Sequence, residues 1–217
     1  MEFPAFGAIP RLHRDITITE KIDGTNGLMF VYEPSEDTEN VPSIGRMSIP
    51  GTDEFPGGHY LVAAGSRSRW ITPEQDNHGF ARWVAENAEN LVVDLGPGTH
   101  YGEWWGSGIQ RGYGLPKGEK RFSLFNSYRW APVAADFITP GLDVVPVLAF
   151  GEGRNLNSLV ETTLDTLRED GSVAAPGFMR PEGVIIYHRA LNGYFKVTMV
   201  NDDRPKQFEG HKPGDRF

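Results

Sequence analysis

The chain has 217 residues, 39% of them hydrophobic and 23% charged, the make-up of a globular protein long enough to bury a core rather than of a disordered one. It contains no cysteine, which excludes disulfides, thiolate nucleophiles and cysteine-ligated zinc. A formal net charge of −8 excludes adhesion to polyanions by bulk charge, so any such contact must come from local basic surface. Base gathers at 11–21, 111–121 and 204–216 and acid at 33–39, around Asp53 and Glu54, and at 161–170, a segregation that points to one positive face. Residues 1–10 carry neither a basic start with a long apolar run nor a cleavage site, and no later run approaches a membrane span. The expectation is a soluble, cytoplasmic, monomeric protein with no membrane partner.

In chain order, Ile16 and Ile18 alternate with Asp15, Thr17 and Thr19, a half-buried strand that delivers Glu20 and Lys21 at its end. Asp23-Gly24 is a turn pair and 28–32 a second strand, so the two read as a hairpin with Lys21 at its mouth. Residues 33–58, rich in Pro, Gly, Ser and acid, read as a loop excursion, and 60–64 as a strand. Phe80, Trp83, Val84, Ala88 and Leu91 keep helical spacing behind Asp76 or Asn77 as N-cap. Strand-like runs follow at 99–105, 121–125, 144–150, 183–187 and 194–199. Between two of them, Leu156, Leu159, Val160, Leu164 and Leu167 form a helical stripe that stops at Gly171. Many strands with two clear helices predict an α+β fold of mainly antiparallel sheets. We expect a single domain over 1–217, with 201–217 as a short C-terminal tail.

Chemistry concentrates in Glu20-Lys21-Ile22-Asp23-Gly24-Thr25-Asn26. A lysine at a strand end, followed by Asp-Gly, can project its amine into a cleft while the glycine turn keeps the backbone close to a phosphate. An ordinary hairpin with an exposed lysine is the other reading of the same seven residues. The scattered histidines lack metal-ligand spacing, and His100 reads as an ordinary strand residue. The glycine-rich stretch 106–118 lacks the order of a Walker loop and reads as a mobile loop whose Gln110, Arg111 and Lys117, with Lys120, could touch substrate. One of Trp104 and Trp105 should face the cleft.

Lys21-Ile22-Asp23-Gly24 resembles the first motif, Lys-x-Asp-Gly, of the covalent nucleotidyltransferases: DNA ligases, RNA ligases and mRNA capping enzymes. Further elements follow in that superfamily's order: Ser66-Arg67, Tyr101-Gly102-Glu103, Arg121-Phe122-Ser123-Leu124-Phe125, Glu182-Gly183-Val184-Ile185-Ile186 and Phe195-Lys196-Val197-Thr198. Asn26, where DNA ligases and capping enzymes usually carry Arg, together with Ile9-Pro10-Arg11-Leu12 and Asp76-Asn77-His78-Gly79-Phe80, is similar to phage RNA ligases of the T4 RNA ligase 2 group.

The resemblance implies an ATP-grasp-like ligase adenylylation domain. Its expected catalytic residues are Lys21, Lys196 and Asp23, and its expected nucleotide-binding residues are Glu20, Ile22, Asn26, Arg67, Glu103, Phe122, Glu182 and Lys196. In these roles Glu20 reads the adenine amine, Arg67 holds ribose or the leaving phosphates, Glu103 accepts from a ribose hydroxyl and Phe122 stacks on the purine. Glu182, with Asp23 through water, helps hold Mg2+ or Mn2+, and Lys196 contacts the α-phosphate. Thr198 departs from the pattern, which usually has a second lysine there, and Arg204 or Lys206 would be the substitute. The implied activity is ATP-dependent RNA ligation: AMP is carried on Lys21, passed to a 5′-phosphate end and displaced by a 3′-hydroxyl on RNA or an RNA-containing nicked duplex. A DNA ligase core, a capping-type enzyme and a non-catalytic nucleotide or nucleic-acid binding module are the alternatives. With so short a tail, polynucleotide contacts are expected from Arg111, Lys117, Lys120, Arg204, Lys206 and Lys212.

Overall fold

The structure, a computed structural model, describes residues 6–50 and 57–200. The alternation of Ile16 and Ile18 forms β1 (Asp15–Lys21), and that of Met29 and Val31 forms β2 (Thr25–Tyr32). After them come β3 (Gly45–Ile49), β4 (Gly58–Gly65) and β5 (Trp70–Ile71), then α1 (Phe80–Glu86), α2 (Ala88–Leu95), β6 (Gly98–Gly106) and β7 (Lys120–Leu124). The chain continues through α3 (Ser127–Trp130), β8 (Leu142–Val144), β9 (Val147–Glu152), α4 (Leu156–Asp170), β10 (Gly183–His188) and β11 (Gly193–Thr198).

The strands make two sheets, one ordered β11-β10-β1-β9 and the other β3-β4-β2-β6-β7-β8, with β5 on β4. Every pairing is antiparallel except that of β7 with β8, so the expected α+β class with mainly antiparallel sheets holds. Each sheet buries one face under helices. Ile16, Ile18, Val184 and Ile186 of the first sheet pack on Leu164 and Leu167 of α4. Met29, Val31, Val62, Trp104 and Phe122 of the second pack with Phe80, Val84 and Leu91 of α1 and α2. A smaller cluster of Ile22, Trp105, Tyr113, Val145 and Ala175 joins the two sheets. Among the described residues, no helix is long and apolar enough to cross a membrane.

Four expectations are corrected. β1 and β2 are not a hairpin: β1 pairs with β9 and β10, and β2 with β4 and β6, so the turn after Lys21 carries the chain from one sheet to the other. The run 144–150 likewise divides between the sheets. Pro146 has no N–H to continue a ladder, while the Val145 N–H donates to the Leu124 carbonyl at 3.0 Å and the Pro146 carbonyl accepts from Glu20 N at 2.9 Å. The helix expected from Phe80 to Leu91 breaks at Asn87, whose Nδ2 donates to the Trp83 carbonyl at 2.8 Å and competes with the backbone ladder. Its N-cap is Gly79, with φ of 84°, while Asp76 serves the first turn from outside by accepting from Ala81 N at 2.8 Å and Arg82 N at 3.2 Å. Within the excursion, β3 pairs along the edge of β4, and residues 51–56 lie outside the described residues.

Candidate active site

Because residues 22–24 change sheets, Lys21 ends β1 at the cleft between the two layers. Ile22 anchors this turn by burying its side chain, 4% exposed, against Trp105, Tyr113 and Val145. The Tyr113 hydroxyl accepts from Asp23 N at 2.9 Å, and Glu103 Oε1 accepts from Gly24 N at 3.1 Å. Gly24 itself lies too close to β6 for any side chain: a Cβ there would stand 2.8 Å from the Cβ of Trp105 and collide with the Trp104 carbonyl oxygen. The turn is therefore pinned to the second sheet while Lys21 remains paired in the first.

Charges meet at this junction. Lys21 Nζ is ion-paired with Glu182 Oε2, both side chains partly exposed. Arg111 Nε binds Asp23 Oδ2 at 2.9 Å, and its Nη1 donates to the carbonyls of Arg180 at 2.9 Å and Pro181 at 3.1 Å. One guanidinium thus ties the turn after Lys21 to the segment just before Glu182. Glu103 Oε2 accepts from Asn26 Nδ2 at 3.3 Å. Burial pushes the Glu103 carboxyl up to about 7, against the pull of Lys21 and the Gly24 N–H. Among the described residues no three metal-ligating side chains cluster. The pair Asp23 and Glu182 still suits magnesium or manganese, because such ions bind through one or two carboxylates and complete their shell with water and phosphate oxygens.

Several expected site residues sit elsewhere. Glu20 is 1% exposed and points to the α4 side of its sheet: Oε1 accepts from Ser172 Oγ at 2.6 Å, and Oε2 from Val173 N at 2.9 Å and Ala174 N at 3.0 Å. Alternation along β1 puts it opposite to Lys21, and its carboxylate fastens the loop after α4. Burial also raises its pKa, despite those hydrogen bonds. The Ile22 side chain is packed into the floor of the cleft.

Phe122 is fully buried between Phe80, Trp83 and Trp104, on the helix-covered face of the second sheet. It cannot stack on a base in the cleft. Phe125, three residues on, takes the other face. It lines a cavity of about 330 Å³ with Asn26, Arg67 and Tyr101. Arg67 therefore reaches this cavity, from the exposed turn after β4. Trp105 faces the cleft side as expected of one of the two tryptophans, yet it is buried, with Nε1 donating to Ser123 Oγ at 2.9 Å. His100 is a buried strand residue, as expected.

Register decides the question of the missing lysine. Thr198 pairs with Gly183, which pairs with Lys21, whereas Lys196 pairs with Ile185 one row farther along. The absent amine is the one in the Lys21 row, and the hydroxyl standing there donates to the Val200 carbonyl at 3.1 Å. Arg204, Lys206 and Lys212 lie outside the described residues. The 106–118 stretch, expected as a mobile loop, is a packed one: Tyr113 is 2% exposed and Arg111 is held by three oxygens. Lys120 is also engaged, donating to the His78 carbonyl at 2.6 Å.

Fold and site together define an α+β protein with a lysine and carboxylates at the cleft between two mainly antiparallel sheets. The family model for RNA ligase matches residues 14–198, and the chain belongs to the RNA ligase family. Among solved structures it is similar to Naegleria gruberi RNA ligase. A mutant of that ligase with ATP and Mn is 14% identical, covering 86% of this chain and 50% of that one at a TM-score of 0.50. An apo mutant is 16% identical over the same shares, with a TM-score of 0.51. A mutant with AMP and Mn is 14% identical over the same shares, again at 0.51. At these identities the likeness shows the fold, and the chain spans about half the length of these structures. No curated protein is matched by the sequence.

Proposed function

We propose that the chain is the nucleotidyl-transfer unit of an ATP-dependent RNA ligase, with Lys21 as the residue that carries AMP. The observation that carries this reading is the Lys21–Glu182 pair at the cleft, beside Asp23 and Glu103, on a turn fastened to both sheets. In the first step Lys21 Nζ attacks the α-phosphorus of ATP. An N–P bond forms, the bond to the β-phosphate oxygen breaks, pyrophosphate leaves and the amine gives up its proton. An ammonium cannot attack, so Lys21 must leave Glu182 and deprotonate. Arg111 holds Asp23 and the segment before Glu182 in place while this happens. Asn26 and Glu103 offer hydrogen bonds to sugar hydroxyls, Phe125 a ring face to the base, and Arg67 charge to the phosphates. Glu182, with Asp23 through water, would hold magnesium or manganese, which would supply neutralising charge at the phosphates; the Naegleria structures with ATP or AMP and Mn support manganese.

In the second step a 5′-phosphate oxygen of the polynucleotide attacks the same phosphorus and frees Lys21. In the third, a 3′-hydroxyl attacks the activated 5′-phosphate and AMP leaves. Each step is an in-line displacement for which the protein supplies position and charge. The test is the intact mass of the chain after incubation with ATP and either metal, and transfer of the label from ATP to a 5′-phosphorylated RNA. No gain of AMP under any metal would refute the reading.

A further inference from the structure

On the face of the first sheet turned away from α4, four side chains form one cross-strand row: Tyr194, Tyr187, Thr17 and Phe150, each in direct register with the next. Phe150 is 71% and Tyr194 66% exposed, although large aromatic side chains are usually mostly buried. The rings of Tyr187 and Tyr194 have centroids 5.0 Å apart, and the Tyr187 hydroxyl donates to Asn192 Oδ1 at 2.9 Å, which fixes the pair. Thr17, short and unaromatic, leaves a gap between Tyr187 and Phe150 of two interstrand spacings, roughly 10 Å.

This row shares its face with the candidate nucleophile. Lys21 pairs with Gly183, Thr19 with Ile185 and Thr17 with Tyr187, so the row lies four residues back along β1 from Lys21, roughly 13 Å. Exposed Lys196 stands in the row between, in register with Ile185. We infer that the row is a stacking platform for unpaired bases of the RNA whose end reacts at Lys21, an inference that rests on the ligase reading. Rings accept any base on their π faces, and a cation beside them tracks the phosphates, which is how single strands are held without sequence choice. A protein partner suits the surface less well. The row is edged by the ion pairs Asp15–Arg189 and Glu152–Arg154, whereas the centre of a protein interface is depleted of charge.

The experiment measures binding of a fluorescent 5′-phosphorylated single-stranded RNA to the whole chain, to Phe150→Ala and to Tyr194→Ala. The RNA is supplied intact or with abasic sites in its first nucleotides, and self-adenylylation with ATP and sedimentation are recorded in parallel. Each substitution should weaken intact RNA about fivefold or more and leave adenylylation and melting temperature unchanged. Abasic RNA should bind all three proteins alike. Equal affinity of the three proteins for intact RNA overturns the platform, and if sedimentation changes as well, the row is a protein contact instead. Failure of the unsubstituted chain to adenylylate refutes the ligase reading separately, while the binding comparison still decides the platform.

Discussion

Phe122 and Phe125 stand three residues apart and meet opposite fates, because the pleat sends one ring under α1 and the other toward the cleft. Phe122→Leu should cost roughly 1 kcal/mol of stability, read as a lower unfolding midpoint, with ATP affinity unchanged. Phe125→Leu should do the reverse, weakening ATP while hardly moving the midpoint; equal ATP loss in both variants would contradict the assignment. Glu20 follows the same logic. In Glu20→Ala the N–H groups of Val173 and Ala174 lose their acceptor, so we expect destabilisation on the order of 2 kcal/mol and faster hydrogen exchange at those two amides. Unchanged exchange together with altered discrimination between ATP and GTP would restore the base-reading role. Lys21, Asp23, Glu103 and Glu182 were singled out by the order of motifs that the chain shares with the covalent nucleotidyltransferases, and the structure brings them together at the cleft. The faces of Glu20 and Phe122 were misread: motif order put both in the nucleotide site, although each alternates with a neighbour of known side. What motif order could not supply was which of two nearby aromatics shares a face with Glu103.

At the scale of elements, β1, β2, β4, β6, β7, β10, β11 and α4 follow the alternation or helical spacing of their apolar residues closely. The divided run at 144–150 and the broken helix at Asn87 do not, because a local chain signal says nothing of which sheet a strand joins, and a single side chain can end a helix. The packed 106–118 loop hid its role for a related reason: glycine richness fixes backbone freedom, whereas Arg111 and Tyr113 acquire their partners only through tertiary contact. One element carries a pH signature. His100 of β6 hydrogen-bonds through Nε2 to the carbonyl of Gly96, the C-cap of α2, and burial pushes its pKa down to about 4. The unfolded chain keeps the ordinary value of about 6.5, so the unfolded state binds more protons between those limits. His100 therefore makes stability fall as pH drops from about 6.5 to about 4, by an amount on the order of 3 kcal/mol, while Glu103, whose carboxyl is pushed up to about 7, acts in the opposite direction over much of the same range. Denaturant titration of the parent and of His100→Gln across that range checks it: the two slopes should differ by the His100 contribution, and an equal slope in both proteins would remove His100 as a source.

For the whole molecule, the decisive feature is that the chain changes sheets at residues 22–24, so that the cleft and its lysine arise from one turn shared by both layers. Gly24→Ala should show this. A Cβ there meets the Trp104 carbonyl and the Trp105 side chain, so either the turn moves or the layers part. The expected outcome is a loss of several kcal/mol, or a folded protein whose adenylylation is slowed far more than its melting temperature is lowered. A variant as stable and as active as the parent would mean that the two sheets are not locked through this turn. The central claim, that Lys21 carries AMP, has a more direct test. Intact mass spectrometry after incubation with ATP and manganese should show one added AMP on the chain, mapped to the peptide containing Lys21 and absent from Lys21→Ala, which should melt near the parent. AMP on another residue, or an adduct that persists in Lys21→Ala, would contradict the account.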